Sequence, residues 1–207
     1  MIPLVKKWPV AVIVALFVFV VAGCGGGSPL DNAQSNGTQS QEEQEANWQV
    51  ADFTYTDQDG KKFGLADLKG DVWLADFIFT NCVTVCPPMT ANMVKIQKAL
   101  KDNDANIPIV SFSVDPDVDT PETLQKYAKE NEMDLASWHL LTGYKQEEIA
   151  EFSQESFKSI VQDDPNSDQV IHGTKFYLVD GNGKVVKMYD GLKPPVDDII
   201  KDIKALK

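Results

Sequence analysis

The chain has 207 residues, room for one ordinary domain or two small ones, and its 43% apolar and 24% charged content is that of a globular protein. Global disorder, collagen and coiled-coil classes are thereby excluded. The formal charge is −12 and all 19 basic residues are lysine, which argues against a nucleic-acid partner. Three cysteines and two histidines are too few for a disulfide-dense scaffold or a multi-metal protein.

In chain order, Lys6 and Lys7 precede an uncharged apolar run over residues 10–22, which ends at Val21-Ala22-Gly23-Cys24. A charged start, about a dozen apolar residues and small residues at the cut site describe a secretory signal over residues 1–23. The run is short of the ~20 residues of a membrane span. Cys24 directly after small residues has the form of a bacterial lipobox, in which it becomes the lipid-bearing first mature residue. The alternative is an uncleaved N-terminal anchor with an incidental cysteine. Either way the rest of the chain is expected outside the cytoplasm, tethered to the cell membrane. Residues 24–47 are nearly devoid of apolar side chains and read as a flexible tether. The folded domain is expected over residues 48–207.

Within that domain, residues 53–55 and 62–65 flank Asp59-Gly60, an N-terminal β-hairpin signal. The apolar run 72–79 reads as a strand covered on both faces. Residues 87–102 place Met89, Met93, Ile96 and Leu100 at helical spacing after two prolines. A second buried strand is predicted over 107–114, and a helix opening at Thr120-Pro121 with Leu124, Tyr127 and Ala128 on one face. A short strand over 137–141 and a helix over 146–157 follow. Residues 174–180 and 184–189 flank Gly181-Asn182-Gly183 as a second hairpin, and a helix over 196–206 turns Ile199, Ile200 and Ile203 inward. Strand–helix–strand units followed by a hairpin and a helix predict an α/β fold with a central mixed β-sheet flanked by helices.

The chemistry concentrates at Cys82 and Cys86, in a segment that follows a buried strand and precedes a helix. Sites of open α/β sheets lie at this edge. Proline at 87 is expected to keep Cys86 at the helix entrance, outside the helix, where the helix dipole favours thiolate. Four residues apart on a tight turn, the two sulfurs can form a disulfide or share a metal ion. A disulfide closing so short a loop would add little stability, which favours chemistry over stapling.

These residues resemble the Sco/SenC family, whose members have a thioredoxin-like fold and a Cys-x-x-x-Cys-Pro copper site. Phe79-Thr80-Asn81-Cys82 with Cys86-Pro87, the Asp-rich segment from Val114 to Pro121, and Val170-Ile171-His172-Gly173-Thr174 are similar to its three ordered motifs. Val83 stands where members often carry proline, and Asp76 where many carry an aromatic. The resemblance implies a copper-binding protein that assists assembly of the CuA centre of cytochrome c oxidase, on subunit II. Two thiolates and one imidazole are a donor set that suits copper, as Cu(I) or, with one more donor, Cu(II). A structural zinc site would want four ligands.

Two histidines compete for the third position. His139 lies in an alternating strand and is most simply a packing residue. His172 lies in a loop before residue 174, where thioredoxin-like oxidoreductases place a cis-proline facing the cysteines, and the family motif points to it as well. Asp115 emerges at the site edge as a weak fourth ligand, an orienting residue or a turn residue. A calcium loop over Asp115, Asp117 and Asp119 fails, because Thr120 and Lys126 stand where glycine and glutamate are needed. Asp76 faces the polar rim of the sheet, or is a buried acid with a raised pKa near the thiols. A competing function is thiol–disulfide exchange through Cys82 and Cys86 as a redox pair. Thiols oxidise outside the cell, so metal loading calls for an extracytoplasmic thiol reductant.

Overall fold

The computed structural model describes residues 44–207. The signal segment, Cys24 and nearly all of the tether lie outside the described residues. Among those described, no helix is long and apolar enough to cross a membrane.

The described residues open with β1 (Gln44–Gln49), which takes in residues 44–47 of the expected tether. The polar composition of residues 44–47 hid this strand. It lies at one edge of the sheet, with its ladder along β10 (Lys184–Asp190). The short hairpin β2 (Thr54–Thr56) and β3 (Lys62–Gly64) turns at Gly60, whose φ of 75° suits glycine. The buried strand β4 (Trp73–Ile78) leads into helix α1 (Cys86–Asp102). Then come β5 (Ile109–Ser113), α2 (Pro121–Glu130), β6 (Trp138–Leu141) and α3 (Gln146–Phe157). Thr120 caps α2 by accepting from the Thr123 N–H, as Ser/Thr before proline does at helix starts. Two short strands follow, β7 (Val161–Asp163) and β8 (Val170–His172), then β9 (Lys175–Val179), β10 and α4 (Val196–Leu206).

The main sheet has the order β1-β10-β9-β4-β5-β6. β4, β5 and β6 are parallel; β9, β10 and β1 join antiparallel. This is the expected mixed sheet. Because side chains alternate along a strand, β4 feeds two cores. Trp73, Ala75 and Phe77 face an aromatic layer with Phe53, Phe112, Phe152 and Phe157. Leu74 and Ile78 face Met89, Met93 and Ile96 of α1, Leu124 and Ala128 of α2, and Ile199 and Ile203 of α4. The topology brings the end of β4, the start of α1 and the start of β9 to one sheet edge, and the candidate chemistry lies there.

Candidate metal centre

The cysteine segment leaves β4 at Ile78 and is held by Asp119. That carboxylate is fully buried and accepts from the Thr80 N–H at 3.3 Å, the Thr80 hydroxyl at 2.5 Å and the Ser113 hydroxyl at 2.6 Å. It ties the loop after β4 to the loop after β5. Desolvation raises its pKa, against the pull of these donors. In the sequence Asp119 stands out only within the Asp-rich segment, as one acid of a calcium loop that fails. Its partners are 39 and 6 residues away, so no local pattern marks them.

Cys82 and Cys86 are free thiols, 8% and 1% exposed. Cys86 is the first residue of α1, inside the helix rather than before it; Val85, with φ −94° and ψ −27°, already takes helical geometry. The Cys86 N–H donates to Cys82 Sγ at 3.3 Å. The positive helix end therefore acts on Cys82, not on Cys86 as the sequence suggested. Burial works against the Cys82 thiolate, but the His172 imidazole, the Cys86 thiol and the Thr84 and Cys86 backbone outweigh it and bring its pKa down to about 6. Burial, followed by the neighbouring Cys82, pushes the Cys86 thiol well above its usual range. Iodoacetamide is accordingly expected to alkylate Cys82 first, with half-maximal rate near pH 6, and to spare Cys86 in the folded protein. Peptide mapping after a pH series checks this; equal labelling of both would contradict it.

His172 closes the site from the opposite side. It ends β8, paired with Val161 of β7, where the sequence reading placed a loop. Both strands are three residues long, too short for an alternation signal. His172 Nδ1 lies 2.9 Å from the Gly173 carbonyl, which can only accept, so the proton sits on Nδ1. Nε2 lies 3.3 Å from Cys86 Sγ; with a proton it can donate to a thiolate, and without one it offers its lone pair to a metal ion. The edge of the ring meets Phe79 at 5.7 Å between centroids. A side chain at Gly173 would collide with Ser159, so glycine lets this turn sit against α3's end. The two Sγ atoms and a His172 ring nitrogen lie within 4.8 Å of one another. This is the one such cluster among the described residues, and Asp115 is not in it. Asp115 is partly buried, its N–H donates to the Ser113 hydroxyl, and burial and Asp119 raise its pKa. A groove of about 540 Å³ runs from His172 between Trp48, Ile160, Ile171 and Tyr177. Val83, 77% exposed, stands beside Cys82.

The other candidates fall elsewhere. His139 stacks on Phe63 at 3.8 Å in β6, a packing residue; burial lowers its pKa. Asp76 is a fully buried acid, not a rim residue.

The fold and site together define a thioredoxin-like domain with two cysteines and a histidine converging at the sheet edge. The SCO1/SenC family model matches residues 41–207, and the chain belongs to that family. It is similar to a SCO1/SenC family lipoprotein from Bacillus anthracis, at 55% identity and TM-score 0.75, covering 77% of this chain and 95% of that one. BsSco, a member of the Sco family of cytochrome c oxidase assembly proteins in which a disulfide switch was identified, matches at 50% identity and TM-score 0.73, covering 80% and 98%. Copper-bound ScoI from Bradyrhizobium japonicum matches at 25% identity and TM-score 0.65, covering 76% and 99%.

Proposed function

We propose that this protein binds copper through Cys82 Sγ, Cys86 Sγ and His172 Nε2 and assists assembly of the CuA centre on subunit II of cytochrome c oxidase. It works outside the cytoplasm, held to the cell membrane by a lipid on Cys24, and an extracytoplasmic thiol reductant keeps its cysteines reduced. The convergence of two sulfurs and an imidazole nitrogen within 4.8 Å of one another carries the reading. Such soft and borderline donors suit copper, and three of them suit Cu(I). The Nδ1 proton held by Gly173 O fixes the ring's orientation, as the hydrogen-bond partner of a metal-binding histidine does. A three-donor shell leaves a side open through which the ion can pass to a recipient. The relatives give the same direction: one holds copper, one belongs to oxidase assembly proteins, one is a lipoprotein.

The lowered Cys82 pKa favours a second activity, reduction of a partner's disulfide, with Cys82 attacking and Cys86 resolving. The two activities share one site and exclude each other only while metal is bound.

Titrating the reduced protein with Cu(I) against a competing chelator separates the ligands. Cys82→Ala, Cys86→Ala and His172→Ala are each expected to lose more than the ~10–100-fold that follows removal of an outer partner, and His139→Ala to match wild type. Unchanged affinity in the first three would remove the site. In a deletion strain, oxidase activity restored by wild type but not by His172→Ala supports the assembly role.

A further inference from the structure

Three acids are buried in this domain, and they are not equally satisfied. Asp119 has the Thr80 and Ser113 donors. Asp57 Oδ1 accepts from the backbone of Asp59 and Lys61. Asp76, 0% exposed, accepts from the Ser111 hydroxyl, which in turn accepts from Trp138 Nε1 at 2.8 Å. Its second oxygen has no hydrogen-bond partner among the described residues. An underpaired buried carboxylate is costly and calls for a reason.

Its position supplies one. Asp76 shares the face of β4 with Leu74 and Ile78, beneath α1 and α2. Cys86 opens α1, and one turn on Thr90 bonds the Tyr127 hydroxyl of α2 at 2.7 Å. The titratable groups that feel its charge are Cys86 on α1, His172 on β8 and Tyr127 on α2. β5 and β6 contribute only the uncharged Ser111 and Trp138. No cation pairs with it among the described residues.

We propose that Asp76 is a positioning residue whose buried negative charge biases the cysteine–histidine site toward Cu(II) over Cu(I). The inference rests on the copper reading above. With the same two thiolates and imidazole bound, the Cu(II) and Cu(I) sites differ by one positive charge. An anion fixed beneath the site attracts the dication more, so it raises the ratio of Cu(II) to Cu(I) affinity. Burial, opposed by Ser111 and His172, raises this carboxyl to about 6, which still leaves it charged at pH 7.5.

The test compares both affinities, by chelator competition, in wild type, Asp76→Asn and Cys82→Ala at pH 7.5. Asp76→Asn should lower the Cu(II)/Cu(I) affinity ratio about tenfold, the order expected of one buried charge. Equal loss of both ions would mark a structural effect and overturn the proposal, as would an unchanged ratio. Wild-type binding indifferent to Cys82→Ala would instead overturn the site itself.

Discussion

Asp119→Ala is expected to destabilise the domain by about 3 kcal/mol and to loosen the cysteine loop. The substitution leaves the Thr80 N–H, the Thr80 hydroxyl and the Ser113 hydroxyl without their acceptor. Each buried donor so stranded costs ~1–3 kcal/mol, partly offset because the charge itself no longer has to be buried. Asp119→Asn keeps an acceptor oxygen and should lose less. Urea unfolding reads the stability. The loop effect is read separately, as faster modification of Cys86 in the folded protein, because Thr80 stands between Asp119 and the cysteine turn. A variant as stable as wild type with Cys86 still protected would show that the loop holds itself.

The second large effect is the pH dependence of stability carried by Asp76. The unfolded carboxyl titrates near 4 and the folded one at about 6. Below the unfolded value both states are protonated and Asp76 costs nothing electrostatically. Between the two values the unfolded chain releases its proton while the folded one keeps it. Stability from this residue therefore falls as pH rises through this window and is flat above it. Two pKa units amount to roughly 3 kcal/mol at full development. Asp76→Asn should thus gain about that much stability relative to wild type between pH 4 and pH 7.5. Denaturant curves at the two values decide it; parallel pH profiles for the two proteins would show that Asp76 keeps its charge state on folding.

Much of the architecture was legible because it is written in short-range pattern. Helices α3 and α4 fall on the predicted residues, since their apolar positions recur at helical spacing. The buried run at β4 and the turn glycines at 60 and 181–183 locate strands and hairpins directly. β1 and the β7–β8 pair were not legible. β1 is a polar edge strand held by its ladder to β10, about 140 residues away in sequence, and β7 and β8 are too short to alternate.

The residue types decided the chemistry before any fold was known. Three cysteines and two histidines leave few ways to build a soft metal site, and Cys82, Cys86 and His172 lie together in the structure. Tertiary structure decided which sulfur carries the charge. The α1 N–H reaches back to Cys82, and Cys86 is sealed in the core. It also decided that Asp119 clamps the loop and that Asp76 is sealed within β4 with one oxygen unpaired. Burial and long-range partners set these properties, and they exist only once distant segments pack together.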